Sequence, residues 1–283
     1  MVNEGNTCYA NSVLNCLFPF RELWEFSSLV PLHQAAKAML VVMNTRPRDP
    51  AKATPLRPKI FLKALTVHMT QSQSRPFRLN QQHDASEILG YVLDALFSAG
   101  VDRSLVCHTF AISYRCQVCC TTTKPFVDEV GESILNLVAS DSISSGLQER
   151  LSGDVITKSC KSCRSDQKCV EQLSFSKLPD VFIIRLRRDQ FDEGQGARRL
   201  GKAVVCERKL VISRGQGNVY PESYHLIAVI HHTGRSSSGG HYFTSLIDPR
   251  TKRMWKYNDS SVSEQKTLDQ RSAYILLYRK LKK

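Results

Sequence analysis

Apolar positions recur at helical spacing over the first hundred residues, and from about residue 107 they alternate or run in short blocks. Tyr9, Val13, Leu14 and Leu17 share one face of a short helix that Pro19 ends. Ala35 to Met43 and Ile60 to Met69 predict two further helices, and the proline-studded stretch 44–58 between them reads as a loop. Ile88, Val92 and Leu96 predict another helix over about Asp84 to Phe97. Beyond it, Phe110, Ile112 and Tyr114 alternate as in a strand, and VFIIRL (181–186), YHLIAVI (224–230), HYFTSLI (241–247) and AYILLY (273–278) read as strands too. The Gly-, Ser- and charge-rich stretches 189–199 and 233–240 read as mobile loops. Helices followed by a long antiparallel β region define an α+β architecture, with no internal repeat.

The length of 283 residues is long for one compact domain and short for two. Hydrophobic residues at 42% allow a sizeable core, and no stretch approaches the ~18 to 20 apolar residues of a membrane-spanning helix. The first residues, MVNEGNTC, carry neither the basic nor the apolar region of a secretory signal, so a reducing cytoplasmic or nuclear setting is expected. In that setting the ten cysteines read as catalytic, metal-binding or buried. The net charge of +13 admits nucleic acid, anionic membrane or acidic protein partners. Its carriers are dispersed, with local groups at Arg185, Arg187, Arg188, Arg198 and Arg199 and in the tail, and they lack the dense aromatic-interleaved stripe of a nucleic-acid surface. A solvated surface is the simpler reading.

Candidate chemistry lies in four segments. In GNTCYANSVLNCL (5–17), Asn6 suits an N-cap and would place Cys8 in the first helical turn. There, unpaired N–H groups and the positive dipole end favour a thiolate. Cys8 is then either a nucleophile or a small buried apolar residue, while Cys16 reads as core. His241, at a strand start after Gly239 and Gly240, is a general base or a structural histidine. Asn258 and Asp259, in WKYNDSSV (255–262), could orient an imidazole through its Nδ1–H, or simply build a turn. Cys116, Cys119, Cys160 and Cys163 form two CxxC knuckles that suit one tetrahedral Zn²⁺. With all four positions filled by protein the metal would be structural, and Cys120 and Cys169 are spare neighbours. In QQHDASE (81–87), Asp84 with Glu87 has the form of a capping box, and alternatively Gln82 and Asp84 form a polar lip for a substrate tail.

Taken in order, VNEGNTCYANSVLNCL, QHDASEIL, the two knuckles and YHLIAVIHHTG…SGGHY with WKYNDSSV resemble the ubiquitin-specific protease family over residues 2 to about 278. The resemblance implies a papain-like cysteine protease fold of thumb (about 1–105), zinc-bearing fingers (about 106–210) and palm (about 211–283, interleaved with the fingers). It implies Cys8 as nucleophile, His241 as base and Asn258 as the third triad member, with Asp259 helping to hold the histidine and Asn3 donating to the oxyanion. Gln82 and Asp84 would grip the substrate tail, Gly239 and Gly240 would line the passage for its glycines, and loops around 190–199 and 233–240 would cover it. The activity so implied is hydrolysis of (iso)peptide bonds after the C-terminal glycine of ubiquitin, with ubiquitin and its conjugates as partners, no membrane and no nucleic acid. An interferon-induced ubiquitin-like modifier is the alternative substrate, and an inactive ubiquitin-binding relative the second alternative. Glu4, in place of the usual apolar residue near the oxyanion position, is the departure that bears on the latter.

Overall fold

The computed structural model describes residues 1–24, 31–44, 51, 53–72, 78, 81–124, 126–127, 131–192, 196–213, 221–236 and 239–282. Helix α1 (Cys8–Leu17) is buried on every side, including its polar Asn11, Ser12 and Asn15. A short helix hidden all round belongs at the centre of a layer. Helix α4 (Ala85–Ser98) packs beside it, with α2 (Pro31–Asn44) and α3 (Lys59–Ser72) on α4 and on each other, and its other side meets the main sheet, where Thr244 donates to the Ser12 carbonyl at 3.1 Å.

That sheet has eight strands. Its order is β13 (Ser261–Gln265), β12 (Met254–Asn258), β11 (Gly239–Ile247), β10 (Glu222–Ser236), β14 (Ala273–Lys280), β6 (Val181–Arg187) and β3 (Leu135–Val138), with β9 (Lys209–Ile212) on the free part of β10. All neighbours are antiparallel except β3 and β6. The central strands carry unbroken apolar runs because both faces are covered. Val181 and Ile183 of β6, with Ile275 and Leu277 of β14, join the core under the helices. Phe182, Ile184, Leu276 and Tyr278 point the other way, into a second core with α5 (Ile143–Ser152).

A four-stranded sheet projects from this second core in the order β2 (Phe126–Val127), β1 (Thr109–Cys116), β5 (Ser165–Lys177) and β4 (Val155–Cys160). Phe110, Leu173 and Phe175 seat its base, and its far end is organised by Cys116, Cys160 and Cys169. The stretch 106–210 therefore feeds both sheets, since β3, α5 and β6 leave it for the large one.

The two stretches expected as loops are strand-bearing. Residues Asp189–Asp192 (β7) pair with Gly196–Arg199 (β8), and β10 continues to Ser236 before β11 returns at Gly239. Residues 193–195 and 237–238 lie outside the described ones. These stretches lack apolar alternation in sequence, so they give no periodic signal. Of the expected loop 44–58, residues 45–50 and 52 lie outside the described set. Buried Arg188 donates to the carbonyls of Leu200, Lys202, Gln270 and Ala273, tying two connecting segments to the sheet.

Candidate active site

Cys8 is the first residue of α1, only 2% exposed. The cap expected from Asn6 falls instead on Thr7, and Asn6 (φ 52) and Gly5 (φ 96) form a left-handed turn before it. Thr7 gives α1 no side-chain cap, because its hydroxyl turns back to Asn3 Oδ1 at 3.2 Å and accepts from the Glu4 N–H at 3.0 Å. Asn3 Oδ1 also accepts from the N–H groups of Gly5 and Thr7, so it organises the turn. The Cys8 sulfur faces the backbone N–H groups of Tyr242, Tyr9 and Cys8 itself, which favour the thiolate. Burial outweighs them, and the Asp259 charge adds to it, so the thiol is pushed above its ordinary range. The expected lowering by the helix end is thus overcome by desolvation.

His241 lies on β11, half-buried, with Nε2 2.5 Å from Asn258 Oδ1. The sequence suggested Nδ1 for this bond. The ring instead presents Nε2 to the end of β12, which leaves Nδ1 as the basic atom. Asn258 also pairs with Ser261 in the tight β12–β13 turn, as the turn reading of N-D-S-S expects. Asp259 (φ 49) does not hold the histidine: its carboxylate accepts from Asn3 Nδ2 at 3.0 Å and Asn11 Nδ2 at 2.9 Å. It clasps α1 and the turn before it onto the sheet, and it engages the Asn3 amide expected at the oxyanion. Glu4 pairs with Arg57 at 3.3 Å.

Gln82, just before α4, donates its amide to the Gly240 carbonyl of β11. Asp84 N-caps α4 through the Ser86 N–H at 2.6 Å, without Glu87 completing a capping box. Both its oxygens accept from Tyr274 Oη, at 2.9 and 2.8 Å. Gly240 (φ 146) is required by the hairpin itself: a Cβ there would lie 2.4 Å from the Thr233 carbonyl oxygen and 2.5 Å from His232 Nε2. Gly239 pairs with Ser236 at the same hairpin's tip. Sequence reasoning passed over Asn11, Tyr242 and Tyr274. Asn11 carried a legible signal, a polar side chain one turn beyond Cys8 that, once buried, demands a partner.

At the far end of the smaller sheet, the sulfurs of Cys116, Cys119, Cys160 and Cys163 lie within 4.8 Å of one another. Cys116 and Cys163 are 3.9 Å apart, and Cys119 and Cys160 3.5 Å. Zinc–sulfur bonds of ~2.3 Å to four tetrahedral ligands put the sulfurs ~3.8 Å apart, so the set fits such an ion. Each knuckle is a tight turn, Cys120 N–H to Cys116 O and Arg164 N–H to Cys160 O. Thr121 holds the Cys119 thiol down to about 6, while hydrogen bonding to Cys119 pushes Cys163 up to about 12. Four sulfurs this close could hold one metal ion, which would draw all four to the thiolate. Cys120 is exposed and Cys169 stands beside Cys116 across the ladder, and neither belongs to the four.

The fold thus brings the start of helix α1, with Cys8, against the sheet that carries the His241–Asn258 pair. The ubiquitin carboxyl-terminal hydrolase family profile matches residues 1–278, and the chain belongs to that family. It is 28% identical to ubiquitin carboxyl-terminal hydrolase 25 of Arabidopsis thaliana, covering 98% of this chain and 46% of that protein. It is 26% identical to ubiquitin carboxyl-terminal hydrolase 42 of Homo sapiens, covering 98% and 22%. The chain thus spans less than half the length of these relatives. Among solved structures, the SAGA Ubp8/Sgf11/Sus1/Sgf73 module bound to ubiquitin aldehyde contains a chain matching all of this one and 69% of its own length, with a TM-score of 0.82 at 20% identity. The same module bound to monoubiquitin matches equally.

Proposed function

We propose that this protein is a thiol-dependent deubiquitinase, hydrolysing (iso)peptide bonds after the C-terminal glycine of ubiquitin. The observation that carries this is the His241 Nε2–Asn258 Oδ1 bond on the strand whose Tyr242 N–H faces the Cys8 sulfur. It leaves Nδ1 to take the Cys8 proton as sulfur attacks the glycine carbonyl. His241 then returns that proton to the leaving lysine amine as the C–N bond breaks. Water, giving a proton to His241, releases the acyl group, and the thiol is restored. The first N–H groups of α1 and the Asn3 amide are the donors for the oxyanion; for Asn3 this means exchanging its bond to Asp259.

In the cleft, the Gln82–Gly240 bond crosses the path assigned to the substrate tail, so tail binding exchanges it for bonds to substrate. Tyr274 and Ser86 fix the Asp84 carboxylate beside that path, as suits a partner for a tail arginine. The pairing of Glu4 with Arg57 offsets its charge, which favours an active enzyme over an inactive relative. One zinc ion held by Cys116, Cys119, Cys160 and Cys163 would be structural, joining the β1 and β4 ends of the small sheet.

The test is release of a fluorophore from the C-terminus of ubiquitin by this chain and by Cys8→Ala. The substitution should abolish turnover, a loss on the order of 10³-fold or more. Turnover confined to a ubiquitin-like reporter would move the substrate, and turnover that survives Cys8→Ala would sink the mechanism.

A further inference from the structure

The bonds that hold Asp84 do not end at Tyr274 and Ser86. Strand β6 runs between β14 and β3, and its Arg185 pairs with Ile275 on one side and Asn136 on the other. Alternation along the strand puts Arg185 on the face of Val181 and Ile183, under the helices. There its Nη1 donates to the Ser86 hydroxyl at 2.9 Å. Ser86 is the second residue of α4, and its N–H donates to Asp84 Oδ1 at 2.6 Å. Tyr274 Oη donates to both Asp84 oxygens at 2.9 and 2.8 Å and lies 3.4 Å from the Ser86 hydroxyl. A guanidinium can only donate and an ionised carboxylate can only accept, so the cluster has a fixed cation at one end and a fixed anion at the other.

Packing alone does not account for Arg185. Its Nε is buried without a hydrogen-bond partner. Among the described residues, no carboxylate forms an ion pair with it. A partly satisfied guanidinium destabilises unless a counter-charge offsets it, and the carboxylate to which its hydrogen bonds lead is Asp84. Tyr274 registers both charges: burial chiefly pushes its hydroxyl up, Asp84 adds to the rise and Arg185 opposes it. Ser86 and Tyr274 make three contacts to a carboxylate that offers about four acceptor positions. Capacity remains for an incoming cation, which binds more tightly the less the carboxylate must be reordered.

We propose that Arg185 is a positioning residue for substrate recognition: by fixing Ser86 it presets the Asp84 carboxylate for the arginine of the substrate tail. This deepens the activity proposed above and rests on it.

The experiment measures KM and kcat of the full chain on two fluorogenic reporters, ubiquitin and ubiquitin with its tail arginine changed to alanine. Wild type, Arg185→Met and Arg185→Lys are compared. On the arginine tail, Arg185→Met should raise KM about five- to tenfold with kcat within about twofold, the pattern of lost binding rather than lost chemistry. Arg185→Lys keeps a charged donor for Ser86 and should stay within about threefold of wild type. On the alanine tail the three proteins should agree in kcat/KM within about twofold, since no cation is left to meet the carboxylate. An unchanged KM for Arg185→Met on the arginine tail would overturn the assignment. A lower KM would do so too, because the Arg185 charge would then repel the tail more than its bond to Ser86 helps. An equal loss on both reporters would make Arg185 a packing residue and nothing more. Absence of turnover by the wild type would instead sink the activity reading, and this inference with it.

Discussion

The two sheets solve the same problem by different means. Strands β6 and β14 of the large sheet are buried along nearly their whole length and wedge between two apolar cores. Strand β4 of the small sheet is mostly exposed, and Val118, Phe126, Val127 and Val155 show more than half their surface to solvent. The large sheet is held by removal of apolar surface from water, worth about 25 cal/mol per Å². The far end of the small sheet has no such reserve, and four convergent thiols take the place of a core. Stability in this protein is therefore spread over many side chains in one region and concentrated on a few atoms in the other.

That contrast can be broken at its strongest point by stripping the zinc proposed at the four cysteines. Chelation, or Cys160→Ser, should release on the order of 10 kcal/mol of local stabilisation. Hydrogen exchange should then quicken at the ends of β1, β4 and β5 while β6 and β14 stay protected. Uniform protection after chelation would show that the tip stands without an ion. Phe182→Ala acts on the opposite regime. It should cost about 3 to 5 kcal/mol in denaturant unfolding of the whole domain, as a cavity opens beside Phe175 and Tyr224.

Acid sharpens the comparison further. Burial lowers His231 and His108 to about 4, both within or at the edge of the large core. Unfolded, each would protonate near ~6.5, so the unfolded state gains protons first as pH falls. The stabilisation is complete above ~6.5 and is lost progressively down to about 4, worth up to about 3 kcal/mol for each residue. Denaturant midpoints measured across that window should fall, and His231→Gln should flatten the slope. The smallest effect belongs to the small sheet's exposed face, where the Lys158 ammonium sits 4.0 Å from the Tyr114 ring centre. Lys158→Ala should cost about 0.5 to 1 kcal/mol, and a larger loss would mean that this face packs more than its exposure implies.

The elements with strong apolar signals were legible in the chain: α4, β6, β10 and β14 fall where Ile88, Val92, VFIIRL, YHLIAVI and AYILLY place them. The hairpins at 189–199 and 233–240 were not, because ladder hydrogen bonds leave no trace in side-chain character. The knuckle cysteines declared themselves by spacing. The partner of Asp259 did not, since its bonds to Asn3 and Asn11 join residues 256 and 248 positions apart. Nor did the balance at Cys8, where burial competes with backbone N–H groups supplied by a distant strand. Types of residue were readable, but the distances that decide which effect prevails were set by tertiary packing.

The bond from Thr244 to the Ser12 carbonyl spans 232 positions of sequence. During translation at ~5 to 20 residues per second, the helix bearing Cys8 emerges on the order of 10 to 50 seconds before the strand bearing His241. For that interval Cys8 exists without His241, and without the Asp259 clasp that seats its helix. A growing chain of this protein thus cannot bring Cys8 and His241 together until its late strands β10, β11 and β14 have emerged and closed the sheet.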